Sequence, residues 1–205
     1  MSAFQQARFL LSAASAGDLP AEAGPEIAIA GRSNVGKSSA INALAGRRRL
    51  AFASKTPGRT RTINFFALGS AGRLADLPGY GHASVPRALR ANWDALIGSY
   101  FMERRTLVGV VLLMDARHPL TRNDRDFLEW LRPVRARRLV LLSKADKLSR
   151  AERAKVLAST RAALAAAAFA GDVRLFSSAS GEGVVEARGL LEGWLANKKP
   201  PEKGN

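Results

Sequence analysis

Cysteine is absent from this 205-residue chain and histidine occurs only twice. The first absence excludes disulfides, thiolate zinc sites and cysteine nucleophiles, and it fits a reducing, cytoplasmic setting. The second leaves no cluster of His, Asp and Glu that resembles a zinc site. Long apolar runs are missing as well. None reaches the roughly 18–20 residues that a membrane span needs, so no membrane contact is expected. Residues 9–16 are apolar, but the run is short, diluted with serine and preceded by Arg8 as its one positive charge. It reads as part of a leader (1–24) that packs on the domain, not as an export signal. Acidic side chains are few, 17 against 32 Lys and Arg, which leaves a net charge of +15. That excess, spread over Arg47 to Arg49, Arg104 and Arg105, Arg132 to Arg138, and Lys198 and Lys199, implies an acidic partner, and RNA is the expected one.

The apolar fraction, 47%, is enough for one domain with a sizeable core. Short apolar runs at 26–30, 107–114, 138–142 and 173–176, the second of them uninterrupted, lack polar alternation and suit strands buried on both faces, as in a parallel sheet. A shorter strand is expected at 73–75. Helical stretches at 37–45, 86–104, 122–131, 150–167 and 184–196 lie between or after them. The alternation predicts an α/β domain over 25–197: three layers, with a mostly parallel central sheet and helices on both faces. Residues 198–205 are polar and proline-bearing, and are expected to form a disordered basic tail. In a sheet of this kind ligands bind at the carboxyl ends of the strands, which is where the motifs fall.

Gly31-Arg32-Ser33-Asn34-Val35-Gly36-Lys37-Ser38 fits G-x-x-x-x-G-K-[ST], a phosphate loop, between a strand and a helix. Its backbone N–H groups can wrap a polyphosphate, and the helix N-terminus adds positive potential. Lys37 is expected on the β- and γ-phosphates and Ser38 on a magnesium ion. This loop alone would also serve an ATP-dependent phosphotransferase acting on a small molecule. Three later segments point to GTP and GDP instead. Asp76-Leu77-Pro78-Gly79 offers a carboxylate for magnesium and a glycine N–H for the γ-phosphate. Ser143-Lys144-Ala145-Asp146 follows a strand where GTPases carry [NT]-K-x-D. There the aspartate accepts from guanine N1–H and N2–H₂, a pair adenine cannot offer, while the lysine stem lies along the base. Ser143 departs from the pattern but keeps a hydroxyl. Phe176-Ser177-Ser178 can give a backbone N–H to guanine O6. Between these, Gly58, Arg59, Thr60, Arg61 and Thr62 read as a mobile loop, with Thr60 the expected magnesium ligand and Thr62 the alternative.

With Gly31 to Ser39, residues 56–66 and Asp76-Leu77-Pro78-Gly79-Tyr80-Gly81, the chain resembles the EngB family of bacterial ribosome-biogenesis GTPases, over roughly residues 9–194. The resemblance implies one GTPase domain that acts in assembly of the large ribosomal subunit and contacts its ribosomal RNA. It also implies a role in cell division and septation, and Ser38 and Thr60 as magnesium ligands. A monomer is expected away from the ribosome. Tyr80 stands where Ras-type enzymes place a water-orienting glutamine, so intrinsic hydrolysis should be slow. Asn34 occupies the position that potassium-activated relatives use to hold that ion, which makes potassium a candidate activator. The residues expected to act in hydrolysis are therefore Lys37, Thr60, Gly79 and Asn34.

Overall fold

Helix propensity and apolar runs sort the chain into alternating elements, and these close around one sheet. The computed structural model describes residues 2–51, 62–81 and 87–197; for 87–94 it describes the backbone alone. In chain order the strands are β1 (Ala7–Ala13), β2 (Glu26–Gly31), β3 (Ile63–Leu68), β4 (Arg73–Asp76), β5 (Leu107–Asp115), β6 (Arg137–Ser143) and β7 (Asp172–Leu175). The helices are α1 (Lys37–Ala45), α2 (Arg87–Glu103), α3 (Arg122–Trp130), α4 (Arg150–Ala166) and α5 (Val184–Ala196). The strands form a seven-stranded sheet in the order β1-β3-β4-β2-β5-β6-β7. Pairing is parallel from β4 through β2, β5 and β6 to β7, and antiparallel at β1–β3 and β3–β4.

Every residue of β2 and β5 is buried, because helices cover both faces of the sheet. One core contains Ile41 and Leu44 of α1 with Leu191 and Trp194 of α5. The opposite core contains Ile97 and Tyr100 of α2, Phe127 and Leu128 of α3, and Leu164 of α4. The three expected layers are therefore present, and each predicted boundary lies within one residue of the observed one.

Two strands escaped placement from the sequence. β3 alternates only partly, and β1 lies inside the expected leader, pairing Ala7 with Leu68 and Ala13 with Ile63 across a bulge near Leu10. Phe4, just before β1, is fully buried against the α1–α5 core. Residues 7–13 are thus a strand of the same sheet as 25–197. The residues 198–205 expected to form a tail lie outside the described residues.

Two features fix the amino ends of the strands. Gly109 in β5 lies beneath Trp194, and a methyl group there would collide with the indole, so the strand needs glycine at this contact. Glu26, fully buried at the start of β2, accepts from Arg104 Nε at 2.9 Å and Nη2 at 2.6 Å. Arg73 adds a nitrogen at 3.7 Å, which ties β4 to the same carboxylate. A buried charge without a partner is costly. Arg104→Ala should therefore lower unfolding stability by about 3 kcal/mol, measured by denaturant titration, while Glu26→Gln with Arg104 intact should cost less.

Candidate functional site

Strand β2 ends at Gly31, and the next five residues turn back before α1. Asn34 (φ 60°) and Gly36 (φ 99°) take left-handed conformations, the first at a cost of about 1 kcal/mol for a residue with a Cβ. The helix then starts at Lys37 with no side-chain cap and no acidic residue in its first turn. α3 and α4 differ: each begins with a capping box, Thr121 with Asp124 and Ser149 with Glu152. The first turn of α1 thus carries no acidic residue of its own, and the N–H groups of a helix start suit an anion.

The 76–79 segment runs beside this loop. Parallel pairing brings Asp76 level with Ile29, and Leu77 N–H donates to the Ile29 carbonyl at 3.0 Å. Lys37 Nζ hydrogen-bonds Asp76 Oδ1, and both side chains are largely buried. Pro78 and Gly79 follow in half-buried positions, and Gly79 lies against the backbone of Ser33. Ser38 is half-buried in the first turn of α1. A hydroxyl and a carboxylate are hard oxygen donors that fit magnesium. Among the described residues no group of three or more His, Cys, Asp or Glu could hold a metal. So short a donor set suits an ion that keeps waters and takes phosphate oxygens. Thr60, with Gly58, Arg59 and Arg61, lies outside the described residues. Thr62 is described, and its hydroxyl donates to Asn64 Oδ1 at 3.3 Å.

The 143–146 segment closes the other side. Ser143, 3% exposed, places its hydroxyl 2.8 Å from the Val35 carbonyl of the phosphate loop and 3.1 Å from the Met114 carbonyl of β5. Its departure from the family pattern therefore keeps a hydrogen-bonding bridge into the loop, with a single proton to share between two acceptors. Lys144 is left-handed (φ 58°), which turns its stem back over the loop. Its ammonium donates to the Asn34 carbonyl at 2.9 Å and pairs with Asp115 at 3.0 Å. The Arg117 guanidinium, together with that ammonium, holds the Asp115 carboxyl well below the usual carboxylate range.

Asp146 accepts from the Ser177 hydroxyl at 2.6 Å, a bond that lowers its pKa below the usual carboxylate value. Ser177 Oγ in turn accepts from the N–H groups of Ala179 and Ser180 at 3.2 and 3.1 Å. Ala145 N–H donates to the Phe176 carbonyl at 3.1 Å, which ties the loops after β6 and β7 together. Phe176 and Ser177 are buried and Ser178 is exposed. A carboxylate with lone pairs to spare beside a rigid loop is a suitable reader of two adjacent N–H donors.

The structure thus brings the segments 31–38, 76–79, 143–146 and 176–178 to one end of the sheet. It also shows three residues that no motif announced. Asp115 anchors Lys144, Asp124 accepts from Tyr80 at 2.9 Å, and Arg117 flanks Asp115. A Thr-x-x-Asp pattern at 121–124 is visible in the sequence, but it signals a helix start and nothing more. His118 is exposed, and His82 is outside the described residues. Trp130 packs on Phe101 and Phe127, and Trp194 is in the core, while the side chain of Trp93 is not described.

The family described as 50S ribosome-binding GTPase matches residues 26–144. A protein of Dechloromonas aromatica (strain RCB), described as probable GTP-binding protein EngB, is 48% identical over 100% of this chain and 97% of its own length. Its counterpart in Aromatoleum aromaticum is 52% identical over 95% of this chain and 90% of its own. Among solved structures, a probable GTP-binding protein engB superposes with a TM-score of 0.65 at 22% identity, covering 84% of this chain and 99% of that one. Era, solved with a GTP analogue and a 16S ribosomal RNA fragment, gives 0.65 at 19% identity over 88% of this chain and 58% of its own, a likeness of fold. With a family match over more than half of its length and near-full-length relatives at about half identity, the chain belongs to the EngB family of GTP-binding proteins and is a P-loop GTPase.

Proposed function

We propose that this chain is a GTP/GDP switch that acts in assembly of the large ribosomal subunit, and that the switch supports normal cell division through that role. In this reading the amides of residues 31–38 wrap the phosphates, and Lys37 neutralises the β- and γ-oxygens. Ser38, Thr60 and Asp76 hold magnesium, which when bound supplies charge for the transferring phosphoryl group. The Gly79 N–H meets the γ-phosphate. Asp146 takes the guanine N1–H and N2–H₂, the Lys144 stem covers the base, and residues 176–178 read O6. The observation that carries the reading is the Lys144 ammonium on the Asn34 carbonyl, which joins the phosphate loop to the base-reading loop.

Hydrolysis in this site is mainly a matter of positioning and charge. Tyr80 offers no amide to orient water; its ring is stacked on Phe127 and its hydroxyl is turned to Asp124. Slow intrinsic turnover follows. Asn34 is exposed at the rim of the loop, where its side-chain oxygen is available to a potassium ion beside the phosphates. Single-turnover hydrolysis should run faster in potassium chloride than in sodium chloride at equal ionic strength; equal rates would remove potassium from the account.

The partner reading rests on charge and on the ribosome-binding character of the matching family. A net charge of +15 on a 21.9 kDa chain favours a phosphate backbone. No helix among the described residues is long and apolar enough to cross a membrane. In this proposal the protein works in the cytoplasm and is monomeric away from the ribosome. Co-sedimentation with purified large subunits should be stronger with a non-hydrolysable GTP analogue than with GDP, and should fall steeply as salt is raised. Binding that ignores the nucleotide would remove the switch. Binding that ignores salt would remove RNA phosphates as the main contact.

A further inference from the structure

Asp124, the third residue of α3, is fully buried and belongs to no nucleotide motif. Its Oδ2 does ordinary helix-capping work, accepting from the Thr121 N–H at 3.0 Å and hydroxyl at 2.7 Å. Capping alone does not require burial. The same box at Ser149 and Glu152 starts α4 in the open, and another at Ser15 and Asp18, before a short 3-10 turn, is exposed as well. The difference lies in Oδ1, which accepts from the Tyr80 hydroxyl at 2.9 Å and lies 3.3 Å from Arg32 Nε. Arg32 is the second residue of the phosphate loop, and Tyr80 directly follows Gly79. One carboxylate therefore holds both segments to α3.

The backbones repeat the link. Ser33 N–H donates to the Tyr80 carbonyl at 3.1 Å, and Tyr80 N–H donates to the Gly31 carbonyl at 3.3 Å. Between these bonds lies Gly79, where a Cβ would sit 3.1 Å from Ser33 N and 3.2 Å from its Cα. The two backbone segments are already in contact there, and glycine is what permits it. The Tyr80 ring is stacked on Phe127 of α3, with centroids 4.7 Å apart and planes 12° off parallel. Burial and the Asp124 charge push the Tyr80 phenol far above its usual range, so it remains a donor at any working pH. Arg32 also donates to the His118 carbonyl at 3.3 Å, which adds the β5–α3 loop to the same assembly.

We infer that Asp124 is a positioning residue for GTP: through Tyr80 and Arg32 it fixes the Gly79 backbone at the rim of the phosphate loop. The inference rests on the reading that the Gly79 N–H meets the γ-phosphate. GDP has no γ-phosphate, so its binding is indifferent to this post. A displacement of about an ångström at Gly79 would weaken a contact made only by the triphosphate and slow the reaction that depends on it.

The test uses Tyr80→Phe, which removes one hydroxyl and leaves the ring on Phe127, together with Asp124→Asn and the double variant. Affinities for GDP and for a non-hydrolysable GTP analogue are measured by calorimetry, alongside single-turnover hydrolysis. Each single change should weaken analogue binding roughly tenfold, the scale of one hydrogen bond to a charged group. Each should slow hydrolysis by a similar factor and leave GDP binding within about twofold. The double variant should be little worse than the worse single one, because both act through the same carboxylate. If Asp124→Asn does not fold, Tyr80→Phe decides the matter alone. An analogue-to-GDP preference that is unchanged or increased overturns the inference, and so do additive effects. Wild-type protein that binds neither nucleotide would sink the underlying functional reading instead, a result distinct from either.

Discussion

The Lys144 ammonium lies between the Asn34 carbonyl and the Asp115 carboxylate, 2.9 and 3.0 Å away, and the site is built around that position. A nucleotide has two chemically unlike ends, and in the proposed reading the chain holds them with segments more than a hundred residues apart in sequence. For both ends to be held at once, the phosphate loop after β2 and the base-reading loop after β6 must be rigid relative to each other. Strands β2 and β6 do not touch; β5 lies between them. The lysine spans that gap from above, and the Ser143 hydroxyl does so from within, reaching Val35 and Met114. The left-handed turn at Lys144 costs about 1 kcal/mol and aims the stem in this direction. Ions held this way at the rim of a low-dielectric sheet interact more strongly than they would in water.

The two ends of the sheet use charge differently. At the amino ends Glu26 is sealed among Arg104, Arg73 and the Tyr100 hydroxyl, an arrangement complete in itself that fastens β2, β4 and α2. At the carboxyl ends the charges keep lone pairs and protons in reserve. Lys37 has one carboxylate partner and two further protons, and Asp146 has one firm hydroxyl donor beside the looser Lys147 pair at 3.3 Å. The start of α1 has no acid to quiet its dipole. A region in which donors and acceptors are left only partly satisfied is costly to keep unless a ligand completes it. That asymmetry follows from the parallel sheet, which sends every motif-bearing loop out at the same end.

Much of this is legible in the amino-acid sequence because the informative signals are local. The buried run at 107–114, the glycine-lysine-serine loop and the Ser-Lys-Ala-Asp segment each carry their meaning in a few adjacent residues. Strands and turns can therefore be assigned to them from residue order alone. What escapes such a reading depends on distant partners. β1 is an edge strand that exposes Phe9 and Leu10, so its composition resembles a leader as much as a strand, and only pairing with β3 settles it. Asp124 looks like a capping residue in sequence; that it also accepts from Tyr80 and forms an ion pair with Arg32, 44 and 92 positions upstream, is a product of the fold. Asp115 ends a strand like many others, and its pairing with Lys144 becomes visible only when β5 and β6 lie side by side, with Asp115 level with Ser143.

The central claim is that a rigidly held carboxylate at position 146 chooses the base while the loop at 31–38 holds the phosphates. Titration calorimetry of the wild-type protein with GTP and with ATP, in magnesium, addresses it most directly. Covering that carboxylate with a base that lacks the two donors should cost adenine at least about 3 kcal/mol, so GTP should bind more than a hundredfold tighter than ATP. Equal affinity for the two, or binding of neither, would contradict the account.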